Sequence, residues 1–286
     1  MAEFRSVGTV FGGVEENLST GITARRFLPL PGLKRADPYI TFQKIGPLSR
    51  DSSIAAHPHR GFQHITLVLN GVLHHSDNSG ESMQFAPGEV HWMRAGAGII
   101  HREHLAVDRH SQNKIFAALQ LWVNLPSRLK MTAPWSRKIT SAEIPVIEST
   151  EGHVRTKVIA GDCCGHRGPI KMPTPLLMVM VNFSATGETT IPVPPEFSAC
   201  CFVLSGSAQM SCLTYPVIHG GNMVVFRNNG NAISLGGAPG TELLVMAGRP
   251  INEPVAVNGP FVMNGFHELH QALNDYRSGR MGPMYF

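Results

Sequence analysis

Histidine is the residue that carries chemistry in this chain. Of 14 histidines in 286 residues, nine fall between His57 and His110: His57, His59, His64, His74, His75, His91, His101, His104 and His110. Random scatter would put roughly three in that window. Clustered imidazoles point to a metal site or to acid–base work near neutral pH. His57-Pro58-His59 sets two imidazoles at i and i+2, a spacing that in a strand aims both at one face. His101-Arg102-Glu103 does the same with an imidazole and a carboxylate. If the two strands are neighbours, His57, His59, His101 and Glu103 converge on one point. Three neutral nitrogens and one carboxylate oxygen suit a divalent first-row metal and leave coordination positions open to a substrate oxygen, dioxygen or water.

Strand parity sorts the remaining histidines. Counting by twos from His59 puts Gly61, Gln63 and Ile65 on the donor face and turns His64 away. His104 is out of phase with His101 and Glu103. The plain reading for His64, His91, His104 and His110 is a satisfied or solvent-facing imidazole. His74 and His75 are adjacent, so at most one of them faces inward.

The elements that must position these groups are strands. Residues 61–72 form a β-branched, apolar run ending in an Asn70-Gly71 tight-turn signal. Residues 83–94 read as strand, Pro87-Gly88 turn, strand, and residues 115–124 as a buried strand closed by Pro126. Strand patterns resume at Leu176–Phe183, Ala199–Leu204 and Met223–Phe226, with residues 126–160 read as a linker between domains. Turn signals every 8–12 residues fit a sandwich or barrel. Near the end, Phe266, Leu269, Leu273 and Tyr276 make one helical stripe, begun near Asn264 and stopped at Gly279.

The halves form a degenerate repeat. A strand ends at Gly71 with a Pro-Gly turn at Gly88, and another ends at Gly206 with a Gly-Gly turn at Gly221. Equal counting carries His57 and His59 to Pro192 and Pro194, and His101 and Glu103 to Ser234 and Gly236. None of these four replaces a strong ligand, so the second copy is expected to be metal-free.

Composition narrows the function. Charged residues make up 15 % and hydrophobic residues 43 %, which excludes a disordered polyelectrolyte. A net charge of +4 without a basic run gives no reason to expect nucleic-acid binding. No apolar run is long enough to span a membrane as a helix, and the N-terminus lacks a signal-peptide core, so an intracellular location, cytoplasm or nucleus, is expected. Cys163, Cys164, Cys200, Cys201 and Cys212 are odd in number and include two adjacent pairs, which argues for small buried hydrophobes over a disulfide framework.

Four segments, His57-Pro-His-Arg-Gly-Phe62, Pro87-Gly-Glu-Val-His-Trp-Met93, Ala95-Gly-Ala-Gly-Ile-Ile-His-Arg-Glu103 and Leu119-Gln-Leu-Trp-Val-Asn-Leu125, resemble the pirin family of the cupin superfamily, as does Gly259-Pro-Phe-Val-Met-Asn264. The resemblance implies an all-β bicupin: two stacked antiparallel β-barrels and a short C-terminal helix. Residues 1–135 would be the metal-binding N-terminal cupin barrel. Residues 136–286 would be the metal-free C-terminal one, carrying the helix. The family's ligand positions match His57, His59, His101 and Glu103 residue by residue, for one divalent metal. Iron(II) comes first, with Ni, Mn, Cu, Co or Zn as alternatives. Where pirins usually carry Glu, this chain has Gln63, a departure with consequences for metal preference.

Two activities are associated with the family. One is quercetin 2,3-dioxygenase-type opening of a flavonol-like substrate by dioxygen, with Glu103 also accepting the 3-hydroxyl proton and Phe62, Phe85, Trp92 and Met93 lining the cavity or serving as plain core. The other is an iron-dependent, redox-sensing transcription cofactor that binds a transcription factor without catalysis. A zinc-loaded structural site is a third reading. The protein is expected to act as a monomer, without direct contact to nucleic acid or membrane.

Overall fold

The computed structural model describes residues 2–29, 36–109, 112, 114–210 and 217–283; His110 and Cys212 lie outside them. The chain forms two β units, and every pairing between named strands is antiparallel. The longest helix among the described residues is Phe266–Arg277, and no helix is long and apolar enough to cross a membrane.

The histidine-bearing unit pairs a seven-stranded sheet with a four-stranded one. The first runs Trp135–Ile139, Val90–Arg94, Phe62–Asn70, Phe116–Asn124, Tyr39–Leu48, Ile22–Leu28, Val14–Ser19. The second runs Ser52–His59, Ile99–Ala106, Val72–Asp77, Ser82–Phe85. Ile22, Val68, Phe116 and Ala118 from the first sheet and Leu73, Phe85 and Leu105 from the second share one apolar core, so it lies between the sheets. Asn70-Gly71 makes the expected turn, with Gly71 at φ +76° and a Cβ there falling 2.4 Å from the Ala106 carbonyl oxygen.

The second unit repeats this order strand for strand. Its large sheet runs Val7–Phe11, Met223–Phe226, Ser198–Ser205, Thr241–Gly248, Leu176–Phe183, Val154–Ala160, Val146–Glu148. Its small sheet runs Gly187–Pro192, Ala232–Gly237, Ser207–Met210, Ile218–His219. The duplication read from the Gly71/Gly206 and Gly88/Gly221 spacings thus holds at the level of topology. Ser234 faces Thr190 and Gly236 faces Glu188 across the small sheet, and the core is apolar, with Val179, Phe183, Val203, Leu235 and Val245 buried together.

The units do not divide at residue 135. Ala142–Pro250 and the strand Val7–Phe11 form one; Tyr39–Ser141, residues 251–283 and the strands Val14–Ser19 and Ile22–Leu28 form the other. The N-terminal segment is held in the second-half unit by Arg5, fully buried, whose guanidinium donates to the carbonyls of Pro194, Phe197 and Gly230. The C-terminal helix belongs with the histidine-bearing unit, not with the other. A buried pair of Arg60 and Asp275 (2.8 Å) holds it there, and Asn78 donates to the Met281 carbonyl (2.7 Å). Residues 126–160 are not a plain linker, because they supply edge strands to both units: Trp135–Ile139 pairs with Val90–Arg94, and Val146–Glu148 with Val154–Ala160. Edge strands with mixed polarity lose the alternation by which a strand is recognised. Within the helix, Leu269 is buried, but Phe266, the first helical residue, is 78 % exposed.

Among the described cysteines, Cys163, Cys200 and Cys201 are free and buried, as expected of small hydrophobes, whereas Cys164 is free and exposed.

Candidate metal centre

Two neighbouring strands carry the four expected donors. Ile99–Ala106 pairs with Ser52–His59 in a register that sets His57 opposite His101 and Glu103 opposite Ile54. One extra residue on the Ser52–His59 side makes a bulge between those pairs, a common device for re-aiming side chains beside a site. Ser52–His59 is an edge strand, so Pro58 fits between the two histidines without interrupting the sheet.

One ring nitrogen from each of His57, His59 and His101 lies within 4.8 Å of the other two. Their partners fix the tautomers. His57 Nδ1 donates to the Ala55 carbonyl (2.9 Å) and His59 Nδ1 to the Pro260 carbonyl (3.3 Å). On the other side, His75 Nε2 donates to Asp77 Oδ2 (2.9 Å), which also accepts from Ser136 Oγ (2.8 Å). His75 Nδ1 then accepts from His101 Nδ1 (3.3 Å). Each of the three rings has committed Nδ1 and keeps Nε2 as a lone pair, the arrangement by which outer hydrogen bonds orient metal-binding imidazoles. His101 Nε2 is buried with no hydrogen-bond partner.

Burial keeps the three rings neutral. It lowers His57 and drives His59 and His101 well below the ordinary histidine value, with neighbouring imidazoles adding to the effect. Burial also pushes the Glu103 carboxyl up to about 7. Burial opposes ionisation of Asp77, but hydrogen bonds from His75, Ser79 and Ser136 outweigh it and bring the carboxyl down to about 2.

Glu103 sits slightly apart from the three-histidine group. Its Oε1 lies 3.8 Å from His101 Nδ1 and has no hydrogen-bond partner, and its carboxylate falls in two other donor groupings, with His64 and His91 and with His75 and His101. A set of buried nitrogens and a carboxylate oxygen left without partners is costly unless something satisfies it. A divalent cation of the borderline first-row type fits this donor set.

Parity counted from His59 misplaces two residues. The strand ends at His59, and Gly61, at φ +87°, starts the chain afresh in the other sheet. A Cβ at Gly61 would stand 1.9 Å from the Val262 carbonyl oxygen, so the kink requires glycine. The phase is reset there. Gln63 therefore leaves the donor face and its Oε1 accepts from Trp92 Nε1 (2.8 Å). Trp92 packs edge-on against Trp135 (4.6 Å) beside Gln63, not in a cavity with the histidines. His64 instead turns inward, with ring centroids 6.0 Å from His59 and 6.1 Å from His101.

His91 is likewise neither satisfied nor solvent-facing. It is fully buried, and both ring nitrogens lack partners. Of the adjacent pair, His75 faces in and His74 packs against His104 on the outside (5.5 Å); His104 is exposed and bonds Ser53. Phe62 lies 5.2 Å from His59 and stacks on Trp122 (4.3 Å); Phe85 lies 4.9 Å from His91, and Met93 packs in one apolar cluster with Phe62. Asp77, Trp122 and Pro260 were not singled out from sequence. The His75-Ser-Asp77 spacing was the one available signal, whereas Pro260 meets His59 only through the fold.

Comparison with known proteins agrees with this description. Residues 21–123 match the Pirin family model and residues 178–282 that of the Pirin C-terminal cupin domain. The chain is 34 % identical over 281 residues to a pirin-like protein of Caulobacter vibrioides, covering 96 % of this chain and 99 % of that one. It is 33 % identical over 276 residues to Pirin-1 of Arabidopsis thaliana, covering 93 % and 91 %. A crystal structure of quercetin 2,3-dioxygenase from Acinetobacter baumannii superposes with a TM-score of 0.87 at 28 % identity, covering 98 % of this chain and 99 % of that one. A duplicated two-sheet fold with a histidine cluster inside one copy defines a bicupin. The chain belongs to the pirin family.

Proposed function

We propose that this protein is a metal-dependent oxygenase of the quercetin 2,3-dioxygenase type, acting on flavonol-like substrates. One divalent ion, iron(II) first among the alternatives, would be held by His57, His59, His101 and Glu103. The observation that supports this most is the commitment of all three Nδ1 atoms to outer partners, leaving three neutral Nε2 donors turned to one point. The likeness to a quercetin 2,3-dioxygenase structure supports the substrate class.

When bound, the ion supplies Lewis acidity for a substrate oxygen and a redox partner for dioxygen. The chain supplies the rest. The imidazoles are already neutral and bind without losing protons. Glu103, which the ion would hold ionised, would accept the flavonol 3-hydroxyl proton on its carboxylate. Phe62 and Trp122, stacked beside His59, offer an apolar wall that favours a flat aromatic substrate over water.

The test combines elemental analysis of protein purified without added metal with flavonol loss under oxygen and under nitrogen. Oxygen-dependent loss that disappears in His57→Ala and Glu103→Ala is the expected result. Iron-loaded protein with no turnover refutes the oxygenase and favours the transcription-cofactor reading.

A further inference from the structure

Behind the three-histidine group lies a second set of donors. One nitrogen each of His64 and His91 and a carboxylate oxygen of Glu103 all lie within 4.8 Å of one another. All three side chains are at least 97 % buried: His64 is 1 %, His91 0 % and Glu103 3 % exposed. Four of their polar atoms, His64 Nδ1, both nitrogens of His91, and Glu103 Oε1, have no hydrogen-bond partner. A neutral imidazole buried with neither nitrogen engaged is unusual, because one is a donor and the other an acceptor. The rings packed against His91 offer it no partner: Phe85 lies 4.9 Å and His75 4.2 Å from it, centroid to centroid. His75, the remaining inward imidazole, has both nitrogens occupied, by Asp77 and by His101.

We propose that His64, His91 and Glu103 form a second divalent-metal site, so that this unit holds two ions with Glu103 common to both. Two imidazoles and one carboxylate are a donor set used by first-row divalent ions, with open positions remaining. The free nitrogens of His64 and His91 are the donors, and they come from adjacent strands of the large sheet, Phe62–Asn70 and Val90–Arg94. The carboxylate comes from the small sheet, so the ion would tie the two sheets together. This site goes beyond the one-metal reading above and shares only Glu103 with it.

Cobalt(II) titration of the full chain, followed by elemental analysis after desalting, tests the second site. The expected stoichiometry is two ions per chain in the parent, one in His91→Leu, one in His57→Ala/His59→Ala, and none when all three substitutions are combined. His64→Leu repeats the His91→Leu result if that variant is poorly folded. Manganese(II)-loaded protein should give an exchange-coupled EPR signal that His91→Leu converts to that of an isolated ion. Anomalous diffraction from cobalt-soaked crystals locates the ions without any variant. One ion per chain, unaffected by His91→Leu, overturns the second site and leaves ordered water as the partner of these nitrogens. Two ions of which neither is lost in His91→Leu or His64→Leu overturn it as well. One ion with full flavonol turnover sinks the second site alone; two ions without turnover sink the oxygenase alone.

Discussion

Metal binding should release protons in a pattern set by Glu103. Its carboxyl is raised from 4.5 to about 7 by burial, which disfavours the ionised form by about 3 kcal/mol. A folded-state value above the unfolded one means the metal-free fold holds a proton that the unfolded chain gives up. The stabilisation from this group is full below pH 4.5, declines as pH rises and is lost above about 7. A metal needs the ionised carboxylate, so its first equivalent should displace about 0.9 of a proton at pH 6, about half at pH 7 and about 0.1 at pH 8. His59 and His101 are pushed well below their ordinary value, and His57 is also lowered, so the imidazoles add little. Calorimetric titration with nickel(II) in two buffers of different ionisation enthalpy counts the protons directly. The apparent affinity should gain about tenfold per pH unit below 6.5 and level off above 7.5, and Glu103→Gln should flatten the profile. Release of two or more protons at pH 6, or a wild-type affinity independent of pH between 5.5 and 7.5, would refute the reasoning.

Three further outcomes follow from the same geometry. Asp77→Asn removes the charge that holds the His75 tautomer against His101, and metal affinity should fall roughly 10- to 100-fold in a chelator competition. Gln63→Glu should leave metal affinity within about twofold, because Gln63 serves Trp92 rather than the site, while urea denaturation shows a loss of about 1–3 kcal/mol for a buried carboxylate. Lys130→Met strips the Gly61 carbonyl, the Val262 carbonyl and Asn124 Oδ1 of one shared donor; chemical denaturation should register roughly 2–4 kcal/mol of lost stability.

The grouping of His57, His59 and His101 was legible because strand geometry is local, whereas Glu103 falls outside that grouping. A spacing of i and i+2 puts His57 with His59, and His101 with Glu103, on one face without knowledge of the rest of the fold. The duplicated topology was legible for a similar reason, since glycines at Gly71 and Gly206 mark equivalent turns. Gln63 and His64 were misassigned because parity was carried across Gly61, where a positive φ ends one strand and opens another in a different sheet. His91 gave no sign of its burial, since an isolated imidazole in a short strand reads the same on either face. The division at residue 135 failed because the contacts that place Arg5 and Asp275 span more than 180 positions, and such pairings leave no periodic mark.

The Pro260 carbonyl that orients His59 is 201 positions downstream of it. During synthesis the ribosome delivers His57, His59, His101 and Glu103 long before it delivers that acceptor, and the helix that secures Arg60 emerges later still. A nascent chain can therefore gather its donors early but can lock their orientation only after a segment 201 positions downstream of His59 has emerged. Truncation at Pro250 should leave a histidine cluster that still attracts ions yet grips them loosely, which makes the segment after Pro250 a gate on maturation of the metal centre.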